Sequence, residues 1–214
     1  DFSPNIKQTK VSKIDTKLYK SILSEKDLDK LIDILNTKPF ISIDTETSSL
    51  NPLEAELVGI SFSYAPNEAY YIPLGHKNIK GLNKELVLKK IKPLLEDPSI
   101  KKVGQNIKYD FIILEKNGIK IDPVEDTMLL SYVLDAGNNR HNMDVLSELH
   151  LGHKTISYKD VVGTGKKQLN FSDVNLEEAT KYAAEDADVT LRLYSFLLER
   201  VNNEKLKKIY EIFE

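Results

Sequence analysis

The spacing of apolar residues changes period along the chain, and each change marks an element. Leu28, Leu31, Ile32 and Leu35 recur at helical spacing behind Ser24 and Asp27, a helix-start pair, and Pro39 closes the segment. Residues 40–46, 57–64 and 69–74 read instead as strands. The gaps between them carry Asn51-Pro52 and Pro66-Asn67, so three antiparallel neighbours are the simplest pairing. Helical spacing returns at about 84–95, a short strand follows at 101–104, and a further helix at about 107–117 stops at Gly118. Helices then dominate, at about 127–134, about 142–150, and from Leu176 to about Val201, the last opened by Asn175 with Glu178. Early strands with later flanking helices predict an α/β domain built on a mixed central sheet. Residues 1–20 are polar and weakly periodic and are expected to form an N-terminal linker or arm, with one globular domain over 21–214.

Composition narrows the classes. Hydrophobic residues are 41% and charged residues 29% of the 214, a globular balance rather than a disordered or fibrous one. No apolar run approaches 18 residues and no secretory leader opens the chain, so no membrane association or export is expected. The absence of cysteine excludes disulfide scaffolds, thiolate zinc sites and thiol nucleophiles. A net charge of -3 argues against a passive binder that grips nucleic acid by bulk positive charge. It leaves room for an enzyme that concentrates its acids around a metal. The lysine clusters, including 89, 90 and 92 and then 101, 102 and 108, read first as solvated faces, with a phosphate-contacting rim as the alternative.

The informative feature is acids standing where apolar residues belong. In the first strand Asp44 and Glu46 share a face, their Cα atoms about 6.6 Å apart by strand rise. Asp110 falls on the inward stripe of its helix with Ile107, Ile113 and Leu114. In the long helix Asp186 interrupts a stripe of Ala179, Ala183, Thr190 and Leu193, with Tyr182 one turn before it. Buried unpaired carboxylates are costly, and like charges brought together resist ionisation. Divalent cations between them reconcile the three elements, and all-oxygen ligands favour Mg2+ or Mn2+ over zinc. The four histidines are scattered; only His150 and His153 could face one another. Salt bridges could neutralise the acids instead, although no basic residue has a matching inward position. A metal that only stabilises the fold is a further alternative.

The same residues carry a resemblance. Ile43-Asp44-Thr45-Glu46-Thr47-Ser48-Ser49-Leu50, Val103-Gly104-Gln105-Asn106-Ile107-Lys108-Tyr109-Asp110 and Tyr182-Ala183-Ala184-Glu185-Asp186 stand in order along the chain. They resemble the three motifs of the proofreading 3'→5' exonuclease domain of bacterial family A DNA polymerases, the DNA polymerase I type. That domain belongs to the DnaQ-like, ribonuclease-H-like exonucleases. Asp44, Glu46, Asp110 and Asp186 match the four acids, and Tyr182 places the chain in the tyrosine branch. Asp126-Thr127-Met128, Arg140-His141-Asn142 and Gly165-Lys166-Lys167-Gln168-Leu169 also look family-like, so the likeness runs over about 24–200.

The resemblance implies a ribonuclease-H-like fold and a metal-dependent 3'→5' exonuclease that releases 5'-mononucleotides from single-stranded or frayed DNA 3' ends. It implies two ions per active site, Mg2+ or Mn2+, held by Asp44, Glu46, Asp110 and Asp186, with Tyr182 orienting the attacking water. Thr45, Thr47, Leu50, Asn106, Arg140 and Phe171 are the implied substrate contacts, with core packing as the alternative for Phe171. It further implies a bacterial cytoplasmic setting, associated with the nucleoid through DNA, and a polymerase domain in the same parent polypeptide, with no obligate protein partner. An opening at Asp1 rather than Met fits a segment of a longer chain, and the chain carries no polymerase motifs of its own. Two alternatives stand: an RNA-trimming exonuclease of the ribonuclease D type, and a catalytically silent structural or DNA-binding domain.

Overall fold

In the computed structural model, which describes residues 13–213, the three expected antiparallel strands are β2 (Phe40–Thr47), β3 (Leu57–Ala65) and β4 (Glu68–Pro73). Three short strands extend them: β1 (Lys20–Ser21), β5 (Lys101–Gly104) and β6 (Val124–Asp126). The sheet order is β1-β4-β3-β2-β5-β6, antiparallel within β2–β3–β4 and parallel at both flanks. It is a mixed sheet, as expected.

The two faces of β2 differ in chemistry, and that difference builds the layers. Ile41 and Ile43 pack with Ile60, Phe62 and Ile72 of the neighbouring strands in one core. That core is closed by α1 (Glu25–Leu35) and α2 (Lys84–Leu95) through Leu28, Leu31, Val87 and Ile91. Both helices begin at side-chain caps: Ser24 accepts from the Asp27 amide and Asn83 from that of Leu86. On the other face Ser42, Ser61 and Ser63 are fully buried, and these small side chains let α7 (Leu176–Asn203) lie close to the sheet. Ser42 Oγ donates to the Ala187 carbonyl at 2.7 Å, fixing the helix over the strand. Asn175 caps α7 by accepting from the Glu178 amide, as its position suggested.

The remaining helices are α3 (Lys108–Lys116), α4 (Thr127–Asp135), α5 (Met143–Leu146), α6 (Tyr158–Val162) and α8 (Lys207–Phe213). A π-helical turn, Ser147–Leu151, extends α5. Most of the expected N-terminal arm, residues 1–12, lies outside the described residues. Its end is docked: Tyr19 is buried with its hydroxyl on Asp188, and Lys20–Ser21 pairs with Tyr70–Tyr71.

Candidate active site

The cleft forms where β2 leaves the sheet. The β2–β3 register shifts between Glu46 and Thr47, so the ladder is irregular beside Glu46 although Thr47 still pairs with Leu57. Asp44 and Glu46 stand on that end, α3 brings Asp110 from the side, and α7 brings Tyr182 and Asp186 from above. All five line one cleft of about 850 Å3. Candidate ligand atoms of Asp44, Glu46 and Asp186 lie within 4.8 Å of one another. Asp110 is close enough to act on Asp44 and Glu46 but is held apart from that trio: its Oδ1 accepts from the Thr45 amide at 2.9 Å and the Thr45 hydroxyl at 2.6 Å.

The electrostatics are those of a site short of positive charge. Burial, then Asp110, Glu46 and Asp186, push the Asp44 carboxyl well above the usual carboxylate range. Burial, then Asp186 and Asp110, do the same to Glu46. Asp186 is raised by burial first and by Glu185 next. Asp110 is pushed up to about 7 by burial, against the hydrogen bonds from Thr45 that lower it. Among the described residues the charged groups that act most on Asp44 and Glu46 are carboxylates and neither acid is in an ion pair, so the salt-bridge alternative is not what neutralises them. Two buried cleft oxygens, Glu46 Oε1 and Asp186 Oδ1, have no hydrogen-bond partner among the described residues. A hard divalent cation answers each of these features: it neutralises clustered charge and coordinates oxygens that nothing else satisfies. Tyr182 keeps its proton, since burial and the neighbouring carboxylates raise its pKa.

Of the expected substrate contacts, Thr45, Thr47, Leu50 and Asn106 line the cleft. The Thr47 hydroxyl, however, is 2.5 Å from that of Tyr109, and Thr45 is engaged with Asp110. Phe171 is a correction. It is fully buried beneath Tyr182 and Tyr158, with ring centroids 5.9 and 6.3 Å away, and touches no cleft surface. The Phe171 ring supports two tyrosines that do reach the cleft, Tyr158 and Tyr182. Arg140 is exposed and does not line the cleft, although Asn142 does. Sequence reasoning passed over Tyr158 and Asn170, and noted Gln168 as family-like without giving it a place in the site. Asn170 ties the far wall to the first motif by donating to the Ser48 carbonyl at 2.9 Å. His150 and His153 do not face a common ion: His150 lies against Phe196, and His153 pairs with Glu185 at 2.9 Å. The lysine reading also needs one change, because Lys102 is buried and donates to the Asp97 and Asp122 carbonyls.

A family model described as 3'-5' exonuclease, of the DNA polymerase A type, matches residues 19–202. The chain belongs to this exonuclease family. DNA polymerase I of Rhizobium leguminosarum is 43% identical over 220 residues, a match covering 94% of this chain and 22% of that protein. The exonuclease domain spans about a fifth of the length of the curated relatives it matches. Among solved structures, Brucella melitensis NrnC with bound Mg2+ is 26% identical with a TM-score of 0.64, covering 82% of this chain and 80% of that one. Escherichia coli RNase D, an exoribonuclease, shares the fold at a TM-score of 0.68 and 20% identity, over 86% of this chain and 45% of that one. The fold is thus ribonuclease-H-like, and family and carboxylate cluster together make this a metal-dependent 3'→5' exonuclease domain of the tyrosine branch. Among the described residues no helix is long and apolar enough to cross a membrane.

Proposed function

We propose that the domain hydrolyses the terminal phosphodiester of single-stranded or frayed DNA 3' ends and releases 5'-mononucleotides, as the proofreading part of a bacterial cytoplasmic DNA polymerase. The observation that carries this reading is the pair of orphaned, buried carboxylate oxygens on the floor of an open cleft. Identity to DNA polymerase I over nearly the whole domain favours DNA over RNA as substrate. In this reading Asp44, Glu46 and Asp186 would hold divalent cations directly, and Asp110, braced by Thr45, would help to hold a second ion. Two Mg2+ or Mn2+ ions, when bound, supply an activated water and neutralise charge on the leaving 3'-oxygen.

The chain's own residues do the rest. Tyr182 keeps its hydroxyl protonated and orients the water by hydrogen bond, since a tyrosine with a raised pKa is no general base near neutral pH. Asn106 and Leu50 stand on the cleft wall to meet sugar and base, and exposed Arg140 can approach a phosphate from outside. Contacts of that kind read phosphate and sugar rather than sequence, so base preference should be small.

The deciding experiment offers linear and covalently closed single strands, and linear strands with a 3'-phosphate, with Mg2+ or Mn2+. Linear DNA should yield 5'-mononucleotides, a 3'-phosphate should slow release sharply, and circles should survive. Digestion of circles would make the protein an endonuclease. An RNA strand cut faster than the matching DNA would transfer the assignment to RNA trimming.

A further inference from the structure

Leu50 and Leu53 stand 92% and 78% exposed on the loop between β2 and β3, and Leu50 lines the cleft. Large apolar side chains held in water gain free energy when an apolar surface meets them. The loop that presents them is built rather than slack. The Asn51 carbonyl accepts from the Glu54 and Ala55 amides, and Ser48 and Glu56 exchange hydrogen bonds at the loop's base. Helix α3 then braces it at two points. At the near end the Tyr109 hydroxyl donates to the Ser49 carbonyl at 2.5 Å. At the far end the Lys116 ammonium donates to the carbonyls of Pro52, Leu53 and Ala55, each at 2.9 Å.

An ammonium carries three N–H donors and no acceptor. The loop turns three carbonyls onto that one nitrogen, so Lys116 is matched donor for acceptor. A lysine that merely attracted phosphate would keep its donors in water. The helix that makes this brace also carries Asp110, so one rigid element sets both a cleft carboxylate and the apolar loop.

We propose that Lys116 is a positioning residue for the exonuclease reaction: it holds Leu50 and Leu53 where they meet the faces of the terminal bases, which places the end of the strand over the carboxylates. This rests on the DNA-end reading above. Contact with base faces tolerates any sequence, because every base offers one.

The test compares wild type, Lys116→Met and Lys116→Arg in the whole chain, on a single-stranded oligonucleotide with Mg2+ at low and high salt. Amide hydrogen exchange over residues 49–56 is measured in parallel. Lys116→Met keeps the stem and loses the donors; its loop amides should exchange faster and its kcat/KM should fall about three- to tenfold, chiefly through KM. The loss should persist at high salt. Lys116→Arg keeps the charge but spreads its donors over a flat fork, so it should recover only part of the loss. In a Leu50→Ala background, Lys116→Met should cost less than about twofold more, because both act through one loop. Unchanged loop exchange, a loss that vanishes at high salt with Arg equal to wild type, or full additivity with Leu50→Ala would each overturn the proposal. Wild-type protein that left the oligonucleotide intact with Mg2+ and with Mn2+ would sink the DNA-end reading itself, a result distinct from variants that match an active wild type.

Discussion

Three acids in four residues of α7, Glu185, Asp186 and Asp188, are all buried, and they are treated in opposite ways. Asp188 accepts from the Tyr19 hydroxyl at 2.8 Å, the Arg192 guanidinium at 2.9 Å and the Asn67 amide at 3.1 Å. Glu185 takes the His153 ring nitrogen on one oxygen and the Ile156 amide on the other, at 2.9 and 2.6 Å. Asp186, between them in sequence, has an orphaned oxygen and carboxylate neighbours. Burial alone therefore says nothing about role. What separates the structural acids from the functional one is whether the protein itself finishes their hydrogen bonding. The fold completes Asp188 and Glu185 and leaves Asp186 for something it does not supply.

The sharpest way to break this comparison is to withhold the cation. Chelation should abolish release of mononucleotides and resupplied Mg2+ or Mn2+ should restore it; robust hydrolysis by protein shown to be ion-free would remove the reason for the orphaned oxygens. Next come the two aspartates. Asp186→Ala should lower the single-turnover rate by about a thousandfold or more while the metal-free fold keeps or gains stability, because one of several repelling carboxylates is gone. Asp188→Ala should do the reverse. It strips the carboxylate from a fully buried Arg192, costs about 3–5 kcal/mol in denaturant unfolding, and leaves the folded fraction active. Equal losses of activity in both variants would erase the distinction.

The sequence made one side of this contrast legible and hid the other. Asp110 and Asp186 stood out because each breaks an apolar stripe, and Asp44 and Glu46 because two acids share one strand face, all local properties of spacing. The strands β2, β3 and β4 and the capped helices α1 and α7 were legible for the same reason, periodicity and capping acting within a few residues. Of the partners of Asp188, Arg192 stands one turn further along the same helix, but Tyr19 and Asn67 come from distant segments that no local pattern joins to it. Strands β1 and β6 are two and three residues long, too short for any period to show. The choice between contact and core packing for Phe171 stayed open, and Tyr158 was passed over, by the same limit: a ring that fills the core and a ring that reaches the cleft look alike until the turns between them are folded.

Tyr182 sharpens the comparison with a smaller effect. Tyr182→Phe keeps the ring on Phe171 and Tyr158 and deletes only the hydroxyl facing Asp186. Metal and DNA binding should be retained, and the chemical step should slow roughly 10- to 1,000-fold, the worth of a positioned catalytic group. A wild-type rate at saturating metal would reduce Tyr182 to a packing residue while leaving the carboxylate cluster in place.

The smallest expected effect is on stability, and it reads the cluster without any substrate. In metal-free protein the cleft carboxyls have pKa values raised above their unfolded values, Asp110 to about 7 from an ordinary 3.8. Between those two values the native state binds more protons than the unfolded chain, so these groups make stability fall as pH rises through the window. For Asp110 that cost is absent below the window and fully present above it. Other groups titrate too. His76 and His150, held below 6.5 by burial, work in the opposite direction, and exposed acids such as Asp97 and Asp160, lowered by serine hydrogen bonds, act below the window. All of these are common to protein with and without metal, so the quantity to measure is the difference. Cations compete with protons for the cleft carboxylates, so the rise in Tm on adding Mg2+ should be slight near the lower end of the window and grow to a few degrees by its upper end. Asp186→Ala should flatten that growth and Asp188→Ala should not. A Tm increment independent of pH in the wild type would mean that Mg2+ stabilises the protein somewhere other than this cluster.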